Sequence, residues 1–183
     1  MTVVFVDAVA STALAERLDE EDVYYLMQGA IGRMMEAVHR YEGVVTQFLG
    51  DGIIALFGAP IAHEDSARRA VSAALDMREA LEAYGEQAQS EYGDRLAFRI
   101  GLNTGPVVVG SISDELEMDF TAIGDTINLA ARMQQQADPG EILVSERTWR
   151  VVRDYFDFED AGLQEVKGKA APVGAWRPLR PRG

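Results

Sequence analysis

The sequence predicts a single domain in which helices pack on a mixed β-sheet. Helical segments alternate with single strands and hairpins along the 183 residues, an order that puts helices against strands of both directions. The chain is 48% hydrophobic and 26% charged, which is typical of a globular domain with a sizeable core. The third observation is a strand–turn–strand segment at 47–58, in which Gly50-Asp51-Gly52 separates two apolar runs.

The bulk composition excludes several kinds of site and partner. A net charge of −13 repels a phosphate backbone, so nucleic acid is not an expected partner. The absence of cysteine excludes disulfides and thiolate chemistry, and the only histidines, His39 and His63, lie in unrelated contexts. Because no apolar run is long enough to span a membrane and no signal peptide is visible, we expect a cytoplasmic domain without membrane contact. The abrupt start on strand-like sequence suggests a domain excised from a larger protein.

The first predicted strand, 2–9, carries Asp7 near its end. Its residues are β-branched and apolar almost throughout, as in a strand that is buried on both faces. Ligand chemistry is often built at strand ends, although the simpler interpretation is that Asp7 caps the turn. Ser11 or Thr12 can cap the helix predicted from Ala13, whose first turn offers free N–H groups to an anion.

Two long helices follow, with the hairpin between them. Apolar residues recur at spacings of three and four across 21–41 and 64–88, which predicts amphipathic helices that pack on the sheet. Asp51 lies at the tip of the hairpin with a glycine on each side. Glycines let the chain turn and let a ligand approach closely, but this segment taken alone is an ordinary turn.

The second half of the chain adds further elements and three notable polar residues. We expect strands at 96–103, 107–112, 120–123, 142–144, 156–162, 164–169 and 172–176, and helices at 124–136 and 145–152. Asn128 and Arg132 lie four residues apart and so share a helix face. An Asn in an apolar helix is either a hydrogen-bonded core group or functional, and spacing leaves both open. Lys167 belongs to one of the few basic clusters of the chain.

The two aspartates together suit hard divalent cations. Magnesium takes few protein carboxylates and completes its octahedron with water and substrate phosphates. Two such ions about 3.5–4 Å apart stabilise both the attacking and the leaving oxygen of a phosphoryl displacement. Asn128 could hold a sugar oxygen, while Arg132 and Lys167 could neutralise phosphates. This combination is what nucleotide phosphate chemistry requires on an acidic chain.

Four segments, in this order, resemble the catalytic domain of class III nucleotidyl cyclases, over essentially the whole chain. They are Phe5–Thr12 (FVDAVAST), Phe48–Gly58 (FLGDGIIALFG), Phe120–Arg132 (FTAIGDTINLAAR) and Val166–Lys169 (VKGK). The resemblance implies a ferredoxin-like α+β fold of βαββαβ type, with a mainly antiparallel sheet, related to polymerase palm domains. It implies a lyase of cyclic-nucleotide signalling that converts a nucleoside triphosphate, ATP being favoured, to the 3′,5′-cyclic monophosphate and pyrophosphate.

The same resemblance assigns roles to individual residues. Asp7 and Asp51, with the Ala8 carbonyl, correspond to the ligands of two Mg²⁺ or Mn²⁺ ions per site. Asn128 corresponds to the residue that orients the ribose, and Arg132 corresponds to the arginine that stabilises the transition state.

Further assignments concern the triphosphate and the dimer. Lys167 corresponds to the triphosphate lysine, and we expect Ser11 and Thr12, which follow the first metal motif, to bind the substrate as well. The resemblance also implies a head-to-tail homodimer, in which the metal aspartates of one chain meet the ribose asparagine, the arginine and the lysine of the other.

The chain departs from the family pattern at the position that reads the base. The adenine-reading lysine of the family lies four residues before the hairpin aspartate, where this chain has Gln47; its partner position is Thr121, which fits. Gln47 and Thr121 can each donate and accept hydrogen bonds, so the pair suits adenine or guanine. We therefore expect ATP selectivity to be reduced by about 1–3 kcal/mol, the scale of a bidentate base contact.

Two further departures leave alternatives open. Ala10 stands where the family usually has glycine, and acidic residues at 115–117 occupy a segment that is often basic in relatives. They favour a regulatory cyclase-homology module that binds nucleotide or only dimerises. A guanylate cyclase would call for a glutamate at position 47. Retention of all the metal, ribose and phosphate residues favours an active adenylate cyclase.

Overall fold

The structure is a computed structural model that describes residues 1–9, 16–58, 65–106, 120–164 and 172–182, with only the backbone for 120–123. The strands are β1 (Thr2–Val9), β2 (Val44–Leu49), β3 (Gly52–Phe57), β4 (Ala97–Thr104), β5 (Ile142–Ser145), β6 (Phe156–Gln164) and β7 (Val173–Pro181). The helices are α1 (Glu20–Arg40), α2 (Ser66–Tyr92), α3 (Phe120–Gln136) and α4 (Glu146–Val152). The strand expected at 107–112, and nearly all of the one at 164–169, lie outside the described residues.

One sheet joins the described strands in the order β2-β3-β1-β4-β5-β7-β6. Only β4 and β5 pair in parallel, and the other neighbours are antiparallel. The elements from β1 to β4 follow the order βαββαβ, and their strands lie in the ferredoxin-like order β2-β3-β1-β4. The expected mixed α+β fold with a mainly antiparallel sheet is therefore confirmed.

Both faces of β1 are covered, as its apolar composition predicts. Val4 and Val6 pack in the cluster that includes residues of α1 and α2. Val3, on the opposite face, packs with Ala130 of α3. The sheet is thus sandwiched between α1 and α2 on one side and α3 on the other. Because side chains alternate along a strand, Asp7 lies on the same face as Val3, towards α3.

The short strand expected at 120–123 is wrong, because α3 begins at Phe120. Gly124 suggested a break, but an isolated glycine inside a helix costs only about 1 kcal/mol relative to alanine. A Cβ at Gly124 would meet nothing within 4 Å, so no neighbouring group requires a glycine or a break in the helix at this position. A four-residue apolar run cannot be distinguished from part of a buried helix by its periodicity.

The last two described strands run further than the sequence suggests. Gly162 indicated the end of the 156–162 strand, yet β6 continues to Gln164 across a register shift between Asp160 and Gly162. The shift is a β-bulge, in which the positive φ of 81° at Gly162 is tolerated.

Within the described ranges, no helix combines the length and apolar character needed to cross a bilayer.

Gly52→Ala is expected to destabilise the domain by about 2–3 kcal/mol, the cost of overpacking a site that cannot relax. A Cβ at Gly52 would lie 1.7 Å from the backbone oxygen of Val6, so β1 and the hairpin would have to separate. The measurement is the free energy of unfolding in urea. Gly50→Ala is the matched control, since a Cβ there meets nothing within 4 Å, and equal destabilisation of both variants would contradict this account.

Candidate active site

The hairpin tip is fixed against the end of β1. Asp7 pairs with Gly52 in the β1–β3 register, and the Ala8 N–H donates to the backbone oxygen of Asp51 at 3.0 Å. The close approach is possible because position 52 has no side chain. The structure therefore brings Asp7, Ala8 and Asp51 to one corner of the sheet.

An amide and a guanidinium lie against the Asp7 carboxylate. Gln134 of α3 donates through Nε2 to Asp7 Oδ1 at 2.5 Å. Arg99 Nε lies 3.6 Å from the same oxygen, an ion-pair distance too long for a hydrogen bond. Burial raises the pKa of the Asp7 carboxyl above its ordinary value; Arg99 opposes this rise and the Asp51 carboxylate adds to it.

Arg99 is a site residue that the sequence reasoning missed. It lies opposite Asp7 in the β1–β4 register, so the two side chains share the face towards α3. Its Nη1 donates to the backbone oxygen of Gln135 at 2.9 Å, while its Nε is buried with no hydrogen-bond partner among the described residues. The available signal was a charged residue inside a largely apolar strand.

Gln134 was missed as well, because a glutamine near the end of a helix gives no local signal. Its side chain is only 4% exposed. The backbone at this position lies directly against β4, since a Cβ at Gly101 would come within 2.0 Å of the Gln134 nitrogen. The position of this amide is therefore set by the crossing of α3 over the sheet.

Asn128 and Arg132 belong to a different face of α3. Asn128 is exposed, and Arg132 is half-buried and donates to Gln135 Oε1 at 3.1 Å. At about 100° per residue, Arg132 lies about 200° around the helix from Gln134, and Asn128 lies about 120° from it. The side chains that correspond to the ribose and transition-state residues are thus turned away from Asp7 of their own chain.

The remaining predicted site residues are partly outside the described structure. Gln47 is exposed on β2, beside a register shift between Val45 and Gln47. Thr121 lies in the first turn of α3, where only the backbone is described. Outside the described residues lie Ala10, Ser11, Thr12, Lys167 and the acidic segment 115–117.

The donor set at the corner fits magnesium or manganese. In the part of the chain that the structure describes, no three His, Cys, Asp or Glu side chains converge as they would in an all-protein metal cage. Magnesium instead binds through one or two carboxylates and leaves its other positions to water and phosphates. The Asp51 carboxylate adds to the rise that burial causes in the pKa of Asp7, and a divalent cation bound between the two carboxylates would relieve this unfavourable contact.

A family model described as the adenylate and guanylate cyclase catalytic domain matches residues 1–176. The chain belongs to this family, the class III nucleotidyl cyclases. Adenylate cyclase 1 of Rhizobium meliloti (strain 1021) is 30% identical over 175 residues, which are 94% of this chain and 26% of that protein. The membrane guanylyl cyclase of Dictyostelium discoideum is 30% identical over 169 residues, 92% of this chain and 11% of that protein.

Solved structures of cyclase domains resemble this cyclase domain over nearly its whole length. The adenylyl cyclase CyaB from P. aeruginosa superposes with a TM-score of 0.88 at 32% identity, covering 99% of this chain and 94% of that one. The guanylate cyclase domain of RhGC from Catenaria anguillulae, solved with GTP, gives 0.84 at 28% identity, covering 99% and 96%. Because cyclases of both kinds are similar to this domain, family membership does not choose between ATP and GTP.

Proposed function

We propose that this cyclase domain converts ATP to 3′,5′-cyclic AMP and pyrophosphate at a site shared between two copies of the chain. The observation that carries the proposal is the pairing of Asp7 and Asp51, whose backbones are locked together by the Ala8–Asp51 hydrogen bond. The domain spans only 26% of the adenylate cyclase from Rhizobium meliloti, so the activity proposed is that of this segment.

Asp7, Asp51 and the Ala8 carbonyl would hold the two Mg²⁺ or Mn²⁺ ions, which supply positive charge to the triphosphate and lower the pKa of the attacking 3′-hydroxyl. Arg99 offsets the negative charge of Asp7, the carboxylate with which it forms an ion pair. The Arg99 side chain is 27% exposed, and its guanidinium would donate a charge-assisted hydrogen bond to a phosphate oxygen. Lys167 would neutralise the rest of the triphosphate.

A second chain is needed because α3 presents its catalytic side chains away from Asp7. Asn128 would orient the ribose, and Arg132 would stabilise the negative charge that develops on the transferring phosphate. Both lie on the outer part of α3, where a second copy can approach. A head-to-tail homodimer with two equivalent sites follows from placing this face of each chain over the Asp7–Asp51 corner of the other.

Gln47→Lys is expected to raise the preference for ATP over GTP by about tenfold or more. The reason is that the lysine ammonium can only donate hydrogen bonds to the base, whereas the glutamine amide both donates and accepts. The measurement is kcat/KM for each nucleotide. Thr46→Lys, at the neighbouring exposed position of β2 within the register shift, adds the same charge and leaves the Gln47 amide in place. An unchanged ratio in Gln47→Lys, or an equal change in Thr46→Lys, would show that residue 47 does not read the base.

A regulatory module that binds nucleotide without turnover is the second candidate. The observation that favours it is Gln47, where the family's adenine-reading lysine is absent. A guanylate cyclase is a weaker third candidate, since Gln47 can also accept from guanine.

Product identification separates these candidates. The purified domain is incubated with ATP or GTP and Mn²⁺ or Mg²⁺, and the products are identified by mass spectrometry. We expect cyclic AMP as the main product, with measurable cyclic GMP. Nucleotide binding with neither product would favour the regulatory module, and cyclic GMP in excess would favour the guanylate cyclase.

A further inference from the structure

Gln134 is a buried amide with no role in the proposed reaction. Its side chain is 4% exposed and donates to Asp7 Oδ1 at 2.5 Å, joining residues 127 positions apart in the chain. Arg99 approaches the same oxygen at 3.6 Å. Both contacts involve Oδ1 and fix the orientation of the carboxylate. Neither of them involves the second oxygen, Oδ2.

The helix that carries Gln134 is anchored to β4 along its length. The backbone oxygen of Gln135 accepts from Arg99 Nη1 at 2.9 Å, and the backbone oxygen of Thr126 accepts from Asn103 Nδ2 at 3.1 Å. Between these two contacts, α3 crosses Gly101 so closely that a Cβ there would overlap its backbone. Because α3 is packed tightly on β4, a shift of the Gln134 side chain is expected to move the helix as a whole.

The two faces of α3 serve different sites in a head-to-tail dimer. Gln134 touches Asp7, a residue of the site formed by its own metal aspartates. Arg132, about 200° around the helix from Gln134, belongs to the other site of the dimer if the proposed function holds. One rigid helix then connects a metal carboxylate of one site to the ribose and phosphate residues of the other.

We propose that Gln134 is a positioning residue that couples the two active sites of the dimer. It fixes the Asp7 carboxylate of one site to the helix that presents Asn128 and Arg132 to the second site. The inference rests on the proposed function, because it requires the shared site. Gln134 itself touches no substrate, and its effect passes through Asp7 on one side and through α3 on the other.

The first test measures metal binding without turnover. Gln134→Met keeps the length and packing of the side chain and removes the amide, so the Asp7 carboxylate loses the hydrogen bond that Gln134 donates. Mn²⁺ affinity, measured by electron paramagnetic resonance in the absence of nucleotide, is expected to fall about tenfold. Gln135→Met is the control: this amide contacts Arg132 instead of Asp7, so Mn²⁺ affinity should be unchanged. An unchanged affinity in Gln134→Met overturns the proposal.

The second test uses a dimer with one working site. A chain carrying Arg132→Ala is co-expressed with a differently tagged chain carrying Asp51→Asn, and the mixed dimer is purified through both tags. Its working site takes the metal aspartates from the first chain and Arg132 from the second. Gln134→Met is then added to the second chain, where its Asp7 belongs to the dead site.

The coupling predicts that kcat of the working site falls about threefold or more in this dimer, while its Mn²⁺ dependence stays unchanged. Unchanged kcat overturns the coupling. Thermal melting checks that Gln134→Met folds. If it does not, Gln134→Leu, which also lacks the amide and adds no charge beside Asp7, replaces it. If Asp51→Asn itself leaves Mn²⁺ binding intact, the proposed function has failed. If Asp51→Asn weakens binding and only the coupling result is negative, the proposed function stands.

Discussion

Asp51→Asn is expected to lower cyclic nucleotide formation by about 100-fold or more, while the fold stays intact. Residue 51 contributes to the fold through its backbone oxygen, which accepts from the Ala8 N–H, and the substitution leaves that oxygen in place. The side chain keeps its shape but loses the charge that would bind a divalent cation. The measurement is the initial rate with Mn²⁺ and ATP, together with the melting temperature.

The control for this substitution is Asp154→Asn. Asp154 is exposed just after α4, so its replacement removes the same charge far from the β1 corner. We expect wild-type activity from it. An Asp51→Asn protein that retains most of its activity would show that the corner of β1 and the hairpin does not bind the catalytic metal.

Arg132→Ala is expected to be about as inactive as Asp51→Asn when assayed alone, and the two proteins should restore activity when mixed. With random exchange, half of the dimers contain one of each chain, and each of these has one intact site of two. The mixture should therefore reach about a quarter of wild-type activity. The physical reason is that Arg132 is turned away from Asp7 in its own chain and must act on the partner's metal site.

A second mixture tests whether this recovery has the expected geometry. Asp7→Asn and Asp51→Asn remove ligands from the same half of the site, so their mixed dimers contain no intact site and should stay inactive. Recovery in this mixture, or none in the Arg132→Ala mixture although mixed dimers form, would mean that the site is not divided as proposed.

The parts of the fold that follow from local chemistry could be predicted from the sequence. Gly50-Asp51-Gly52 predicted the turn between β2 and β3, and the uninterrupted apolar residues of β1 predicted burial on both faces. The prediction of a strand at 120–123 was wrong because, in the sequence alone, Gly124 indicated a boundary between two elements. In the structure Gly124 lies within α3, and nothing around it requires an interruption.

Contacts between distant parts of the chain could not be predicted in the same way. Arg99 joins the site because the register of β4 sets it opposite Asp7, and Gln134 joins it because α3 crosses the sheet at Gly101. Spacing showed that Asn128 and Arg132 share a helix face, but it could not show which way that face is turned. The role of Gln47 stays a prediction, since its partner position has only its backbone described.

The division of the site between two chains is tested most directly by a crystal structure with Mn²⁺ and a non-cyclisable ATP analogue. The account predicts anomalous scattering peaks for manganese between the carboxylates of Asp7 and Asp51. It also predicts that Asn128 and Arg132 from a second copy contact the ribose and the phosphates of the same nucleotide. Manganese bound away from both aspartates, or a nucleotide contacted by Asp7 and Arg132 of a single chain, would contradict it.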